Sequence, residues 1–274
     1  MTWMVFTDLD GTLLNHDDYS YHAAESVLAE LRHTAIPVVI VTSKTRAEVE
    51  PLWRTLQLNC PFVVENGAAI YAPLNSVWVQ NDWGERSGLA CHVLAEPFDS
   101  VMQFIDQLEI DCAGQFQRFS QLSSSHVAHL TGLSTDAASL SLQREFSDPL
   151  YWLGDDETLS CFIERLSKQG CECVCGGRFV HVLQGINKGK AVRYVTELMH
   201  RLSSSQLTTI ALGDGGNDVS MLEAADMAVR VRSLHHDFPD ISHTHLYSTD
   251  GVGPVGWAEA IRHFILPESS DNKR

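Results

Sequence analysis

The chain has 274 residues, enough for one large domain or two modest ones. Its 19 Lys and Arg against 35 Asp and Glu leave a formal net charge of −16, which argues against a nucleic-acid partner, because such a partner needs a basic surface. Hydrophobic residues make up 44% of the chain, which excludes a wholly disordered protein. If an acidic protein of this kind binds a phosphate, a metal ion or a local cluster must supply the positive charge.

The sequence also indicates where the protein works. Its apolar runs, such as Trp3–Phe6 and Ile36–Val41, are far shorter than the roughly 20 residues of a membrane-spanning helix. We see no signal peptide, and three of the seven cysteines (Cys171, Cys173 and Cys175) alternate in one segment. In a strand these three would share a face, which is a poor layout for bridging one another. No CxxC pair or histidine partner at zinc spacing supports a soft-metal site, so free thiols are favoured. We expect a cytoplasmic protein without a membrane partner.

The first third of the chain alternates between strand and helix patterns. The predicted elements are the strand Trp3–Thr7, the helix His22–Arg32, the strand Pro37–Val41, a helix capped by Thr45 and Glu48 that runs to about Leu56, and the strand Phe62–Glu65. Repeated β-α-β units of this kind predict a parallel sheet with helices on both faces.

The pattern changes between about residues 82 and 184 and then returns. The middle segment predicts helices at Phe98–Leu108 and Thr135–Glu145 and a strand at Phe179–Leu183. The last part predicts the helix Ala191–Leu202, the strand Thr208–Leu212, the helix Val219–Ala225, the strand Met227–Val231, a helix after Pro254 and a frayed tail from Pro267. We therefore expect an α/β fold with a doubly wound, Rossmann-like parallel-sheet core from residues 1–82 and 186–274, and an inserted α/β domain at 83–185.

Three polar clusters each follow directly on a predicted buried strand. They are Asp8–Thr12 (DLDGT), Thr42–Lys44 (TSK) and Gly213–Asp218 (GDGGND). Ligands of open parallel sheets bind outside the carboxyl ends of the strands. The three clusters are therefore expected to face one crevice.

The first and third of these clusters contain carboxylates. Asp8 and Asp10 are two residues apart, so an extended chain points them to the same side, where Mg²⁺ would relieve their repulsion. Asp214 is placed to complete such a metal site, and Asp218 with Asn217 would orient its neighbours. The alternatives are a solvated Asp-rich turn at the first cluster and an ordinary loop with Asp218 as a helix N-cap at the third.

Two further residues could bind an anion. Ser43 lies near a helix N-terminus and could hold a phosphate oxygen, although a simple N-cap explains it as well. Lys188 lies just before a predicted helix in a lysine-poor chain and could neutralise a transferring phosphoryl group. Its alternative is a surface lysine.

These residues, in this order and spacing, resemble the four motifs of the haloacid dehalogenase superfamily of phosphatases. The inserted segment resembles the large α/β cap of the sugar-phosphatase branch. Further segments are similar to mannosyl-3-phosphoglycerate phosphatases: Glu65–Ala68 (ENGA), Leu130–Ser134 (LTGLS), Arg144–Pro149 (REFSDP) and Gly177–Phe179 (GRF).

The resemblance implies a role for each motif residue. Asp8 would be the nucleophile that forms an aspartyl-phosphate, and Asp10 would protonate the leaving group and then activate water. Mg²⁺ would be held by Asp8, Asp10 through its carbonyl, and Asp214, while Ser43 and Lys188 stabilise the phosphoryl oxygens. The resemblance also implies residues that hold these groups in place without touching the substrate, namely Thr12, Asn217 and Asp218.

The sequence indicates less clearly which residues contact the rest of the substrate. Asn66 could line the pocket or only form a turn, and Arg144 and Arg178 could grip a carboxylate or form ion pairs with Glu145 or Asp148. The histidines at 235, 236, 243 and 245 show no zinc-site spacing, so no catalytic or metal role is favoured for them.

The leading hypothesis is a Mg²⁺-dependent phosphomonoesterase acting on a phosphorylated sugar–acid conjugate, with mannosyl-3-phosphoglycerate as the expected substrate. The alternatives are the glucosyl analogue, another sugar phosphate, a phosphomutase, and a non-catalytic phosphosugar-binding protein. The intact pair of Asp8 and Asp10 counts against the last of these. The sequence leaves the oligomeric state open.

Overall fold

Three β-sheets organise the protein in this computed structural model, which describes residues 2–95, 98–111, 114–176, 179–203 and 206–266. The strands are β1 (Thr2–Thr7), β2 (Val38–Ile40), β3 (Phe62–Val64), β4 (Ala69–Ala72), β5 (Gly84–Arg86), β6 (Leu89–Val93), β7 (Phe116–Arg118), β8 (Leu150–Trp152), β9 (Cys171–Gly176), β10 (Phe179–Gln184), β11 (Leu207–Gly213), β12 (Met227–Arg232) and β13 (Leu246–Val252).

The α-helices follow the strands in the order that the β-α pattern predicts at both ends of the chain. They are α1 (Glu25–His33), α2 (Arg46–Thr55), α3 (Phe98–Asp111), α4 (Ser124–Thr131), α5 (Thr135–Ser141), α6 (Asp156–Ser167), α7 (Lys188–Leu202), α8 (Val219–Ala224) and α9 (Pro254–Phe264). The predicted capping box of α2 is present, with Thr45 accepting from the amide of Glu48 and Glu48 accepting from the amide of Thr45.

The largest sheet has five parallel strands in the order β13-β12-β11-β1-β2. The chain moves from β1 to β2 on one side and returns to β11 on the other, so the order reverses between β1 and β11. A crevice opens at such a switch point, outside the carboxyl ends of the strands. Asp8 follows β1 and Asp214 follows β11, which places both at this crevice. The predicted doubly wound α/β fold is confirmed.

The third predicted strand belongs only in part to the parallel sheet. Val63 of β3 forms a parallel bridge with Val41, directly after β2, and the amide of Thr42 donates to the carbonyl of Val63. The sharp turn at Glu65–Gly67, three consecutive residues with φ of 49°, 59° and 102°, then sends the chain back along β3 as β4, which pairs with β3 antiparallel. The resulting sheet has the order β3-β4-β6-β5.

The inserted segment forms a four-stranded sheet in the order β7-β8-β10-β9. Val180 and Val182 of β10 pack with Phe162 of α6 and Ile105 of α3 in a separate apolar cluster. Cys171 and Cys173 lie in the same cluster, so the cysteines of β9 share a face as expected, and no disulfide joins the six cysteines in the described ranges.

Several predicted boundaries differ from the structure. The helix expected at Thr135–Glu145 ends at Ser141, because the amides of Glu145 and Phe146 donate instead to the carboxylate of Glu65. The helix expected from Ala191 begins at Lys188, because Asn187 caps it by accepting from the amide of Lys190. The helices α4 and α6 were not predicted. The tail from Pro267 lies outside the described residues.

The division into a core of 1–82 and 186–274 and a cap of 83–185 stays a proposal. The sheet β7-β8-β10-β9 lies wholly within the proposed cap. At the lower boundary, β6 hydrogen-bonds to β4, and Leu89 and Cys91 belong to the large apolar core. This pairing favours a division nearer residue 95.

Candidate active site

Three carboxylates and one ammonium group are enclosed where β1 and β11 end. Nζ of Lys188 lies 2.7 Å from Oδ1 of Asp8 and 2.7 Å from Oδ1 of Asp218. One carboxylate oxygen of each of Asp8, Asp214 and Asp218 lies within 4.8 Å of the others, and all three residues are buried. The first and third sequence clusters and Lys188, up to 210 residues apart, thus meet in one place.

Backbone geometry brings these side chains together. Gly11 has a φ of 77°, and a Cβ built there would collide with the carboxylate of Asp214. Only glycine therefore permits this turn together with so close an approach between the loop after β1 and the loop after β11. Asp218 is held in place by the backbone of its own loop, since its Oδ2 accepts hydrogen bonds from the amides of Asp214 at 3.1 Å and Gly215 at 3.0 Å.

The cluster holds more negative charge than it can neutralise by itself. Burial, with the charges of Asp218 and Asp214, raises the pKa of Asp8 to about 8 although Lys188 opposes the shift. Burial and Asp218 likewise raise the pKa of Asp214 to about 6. Burial alone would lower the pKa of Lys188, but Asp218 and Asp8 outweigh it and raise that pKa, so the lysine is charged.

The donor set fits a divalent cation. Asp218 already accepts three hydrogen bonds, one from Lys188 and two from backbone amides, so Asp8 and Asp214 are the carboxylates of the cluster with more capacity for a cation. Oxygen ligands with surplus negative charge are those that Mg²⁺ and similar ions prefer. The supporting role expected of Asp218 and the identity of the ion stay proposals.

Asp214 has two further partners. The hydroxyl of Thr12 donates to its Oδ1 at 3.1 Å, and the supporting role expected of Thr12 stays a proposal. Nε2 of His236 lies 3.2 Å from its Oδ2. His236 was not predicted to reach the site, because no sequence spacing links a histidine in a polar loop to an aspartate 22 residues earlier.

Asp10 lies at the edge of the cluster and pairs with a different lysine. Nζ of Lys44 lies 2.8 Å from Oδ2 of Asp10 and 3.6 Å from Oε1 of Glu48. The second oxygen of Asp10, Oδ1, is buried and has no hydrogen-bond partner among the described residues. Lys44 was named in the sequence only as a neighbour of Ser43, and its contact with Asp10 depends on tertiary structure.

Ser43 and Arg144 are brought together across 101 residues. Nη2 of Arg144 donates to the carbonyl of Ser43 at 3.0 Å and to the hydroxyl of Ser147 at 2.9 Å. Its ion-pair partner in the described part of the chain is Glu65, at 3.6 Å, and not Glu145 or Asp148. The carboxylate of Glu65 is buried and also accepts from the Ser147 hydroxyl at 2.6 Å. Arg144 therefore joins the inserted segment to the loop that carries Ser43.

Asn66 and Asn217 line a cavity of about 270 Å³ beside Lys188. Neither side-chain polar atom of Asn66 has a hydrogen-bond partner among the described residues, although both are buried. Leu183 of β10 and Glu172 of β9 close the cavity from the inserted sheet. Arg178, the other predicted carboxylate ligand, lies outside the described residues.

Comparison with known proteins first defines the class. Residues 5–249 match the haloacid dehalogenase-like hydrolases, and the chain belongs to this family. It is 34% identical over 267 residues to a glucosyl-3-phosphoglycerate/mannosyl-3-phosphoglycerate phosphatase of Methanococcoides burtonii, with 97% of this chain and 98% of the relative covered. A protein of the same name from Persephonella marina is 31% identical, with 94% and 95% covered. The resemblance drawn from the sequence and the expected enzyme class, a phosphoric monoester hydrolase, are confirmed.

Solved structures show the same fold at lower identity. A Thermoplasma acidophilum protein superimposes with a TM-score of 0.65 at 18% identity, covering 96% of this chain and 98% of its own. The sucrose-phosphatase of Synechocystis gives a TM-score of 0.61 at 19% identity, covering 96% and 98%. Among the described residues, no helix is both long and apolar enough to cross a bilayer.

Proposed function

We propose that the protein is a Mg²⁺-dependent phosphomonoesterase that converts mannosyl-3-phosphoglycerate to mannosylglycerate and phosphate, with the glucosyl analogue as the nearest alternative substrate. The observation that carries the proposal is the buried cluster in which Lys188 links Asp8 to Asp218 beside Asp214. The names of the two curated relatives, which cover nearly the whole chain, support the substrate class.

Asp8 is the proposed nucleophile. Its carboxylate forms a bond to phosphorus while the bond from phosphorus to the substrate oxygen breaks, and a proton from Asp10 goes to that leaving oxygen. Water then attacks the phosphorus of the aspartyl-phosphate, gives a proton to Asp10 and restores Asp8. Dividing one difficult hydrolysis into two displacements lowers the barrier of each.

Asp10 is suited to exchange a proton with the substrate. Lys44 holds one of its oxygens at 2.8 Å, which fixes the side chain, while the other oxygen is buried without a partner in the described ranges. A general acid must be held in place and keep one oxygen for the reacting group. The pairing with Lys44 provides the first condition and the unpartnered Oδ1 the second.

The negative charge of the phosphate needs positive charge and hydrogen-bond donors beside Asp8. Lys188 is within hydrogen-bond distance of Asp8 and would bind the phosphate oxygens together with Ser43. Mg²⁺ held by Asp8, Asp214 and the backbone carbonyl of Asp10 would supply the positive charge that keeps Asp8 ionised and neutralises the phosphoryl oxygens. Asn66, Arg144 and Arg178 are the proposed contacts to the rest of the substrate, and Thr12, Asn217 and Asp218 support the cluster.

The test is phosphate release by the purified protein from mannosyl- and glucosyl-3-phosphoglycerate, hexose phosphates and an aryl phosphate, with Mg²⁺ and with chelator. We expect the highest kcat/KM on a glycosylated phosphoglycerate and none of this activity in chelator. Higher kcat/KM on a hexose phosphate would overturn the substrate assignment but leave the enzyme class. Return of the phosphoryl group to the sugar would indicate a mutase, and binding without phosphate release would indicate a binding protein.

A further inference from the structure

His181 lies on the face of the inserted sheet that looks toward the core. Neighbouring residues of a strand point to opposite faces. Val180 and Val182 point into the apolar cluster of the inserted segment, so Phe179, His181 and Leu183 point the other way. Leu183 and Val174, the cross-strand partner of His181, both line the cavity beside Lys188. The register therefore directs the His181 ring toward the catalytic cluster.

The ring is buried without full hydrogen bonding. His181 is only 7% exposed, and its Nδ1 has no partner among the described residues. Leaving a buried polar atom unpaired costs about 1–3 kcal/mol. Asn66, on the cavity wall shared with Lys188, has two more unpaired polar atoms. An oxygen atom of a bound ligand would satisfy the unpaired nitrogen of His181, and further oxygen atoms in the cavity would satisfy Asn66.

The charges of two cations act on the ring. Burial, with the charges of Arg144 and Lys188, lowers the pKa of His181 to about 3, so the ring is neutral at physiological pH. A neutral imidazole donates from one nitrogen and accepts at the other, which matches a hydroxyl group and also permits donation to a carboxylate. Both cations also reach the proposed phosphate site, since Lys188 contacts Asp8 and Arg144 donates to the carbonyl of Ser43.

We propose that His181 is a specificity-determining residue that hydrogen-bonds an oxygen of the sugar–acid part of the substrate, next to the phosphate held at Asp8 and Lys188. This inference rests on the proposed function and extends it to a residue that no sequence motif marked. The bond would form only with substrates that carry oxygen atoms beyond the phosphate group. His181 thus helps the enzyme to select among phosphate esters that the core alone would hydrolyse alike.

The variant His181→Leu tests the inference, because leucine fills similar space and removes the unpaired nitrogen. Its kcat/KM is compared with that of the wild type on mannosyl-3-phosphoglycerate, on 3-phosphoglycerate and on an aryl phosphate. We expect a loss of about tenfold or more on the glycosylated substrate, the size expected for one hydrogen bond, and less than twofold on the aryl phosphate. A loss on 3-phosphoglycerate as well would place the contact on the acid, and no loss there would place it on the sugar.

Val182→Ala is the matched control, since Val182 lies beside His181 on the opposite face. It should lower the melting temperature and leave the ratio of kcat/KM between the substrates unchanged. His181→Leu should melt no lower than the wild type. His181→Gln should recover part of the lost selectivity.

Equal losses of His181→Leu on all three substrates, or no loss on any, would overturn this inference alone. A wild-type enzyme that cleaves the aryl phosphate and no glycosylated phosphoglycerate would instead overturn the proposed function, and this inference with it.

Discussion

Nζ of Lys188 lies 2.7 Å from Oδ1 of Asp218, and both side chains are fully enclosed. The same ammonium contacts Asp8 at 2.7 Å, so one cation fixes the proposed nucleophile against a carboxylate that is itself anchored on backbone amides. A buried charge without its partner is strongly destabilising. The stability of the core and the geometry of the reaction therefore depend on the same lysine.

The first prediction concerns the replacement of Lys188 by an uncharged residue. Lys188→Met should destabilise the protein by about 3–5 kcal/mol, because it leaves Asp218 buried and unpaired, and should reduce turnover at least about 10³-fold. Urea unfolding and phosphate release measure the two effects. The double variant Lys188→Met/Asp218→Asn should regain most of the stability and none of the activity. If the double variant is as active as the wild type, Lys188 has no part in phosphoryl transfer.

Asp8→Asn should abolish turnover and keep the fold. The amide has nearly the shape of the carboxylate but cannot attack phosphorus, so kcat should fall at least about 10³-fold. Phosphate release reports activity, and circular dichroism reports the fold. Asp18→Asn, at an exposed position in the nearby loop, is the control and should match the wild type. Near-normal activity of Asp8→Asn would remove Asp8 from its role.

Activity should require Mg²⁺, and Ca²⁺ should inhibit. Ca²⁺ takes more ligands at longer distances and would spoil the alignment at Asp8. Because the pKa of Asp8 is raised to about 8 and that of Asp214 to about 6, the cation-free site holds a proton at pH 7. Binding of Mg²⁺ should therefore release about one proton, which calorimetry in buffers of different ionisation enthalpy detects. Full activity in chelator would contradict the metal assignment.

Asp214→Ala should show its defect mainly in metal binding. The variant loses one of the two carboxylates with capacity for the cation, so the Mg²⁺ concentration for half-maximal activity should rise at least about tenfold. Excess Mg²⁺ should restore part of the activity. Asp226→Ala is the control, because Asp226 is not part of the carboxylate cluster and accepts a hydrogen bond from the hydroxyl of Thr209 instead. An unchanged Mg²⁺ requirement in Asp214→Ala would exclude Asp214 as a ligand.

Stability should depend on pH through His181. The pKa of this residue is about 3 in the folded protein against 6.5 for a free histidine, so the unfolded chain binds the extra proton between these values. Stability is then full above about pH 6.5 and falls as the pH drops toward 3, by about 1.4 kcal/mol per unit. Relative to His181→Leu, the wild type should lose about 2 kcal/mol at pH 5. Parallel curves of unfolding free energy against pH for the two proteins would show that the ring is not buried as described.

Much of the core follows from sequence alone. Short apolar runs separated by amphipathic helices predicted the parallel sheet, because the period of burial differs between a strand and a helix. The polar clusters after β1 and β11 predicted the aspartate site, because parallel strands end at one edge of the sheet. The register of β1 and β11 then brings Asp8 to Asp214, and Lys188, at the start of α7, reaches Asp8 and Asp218.

Tertiary structure alone decided the contacts that have no local signal. Lys44 pairs with Asp10, His236 reaches Asp214, and Glu65 holds the segment from Glu145 to Ser147. The turn at Glu65–Gly67 also sends the chain back from β3 into the antiparallel strand β4. Charged and polar side chains carry no periodicity that reveals a partner 80 residues away, so their pairing follows only when packing has fixed the backbone. His181 shows this most clearly, since its burial and the effect of the charges of Arg144 and Lys188 on it exist only in the folded chain.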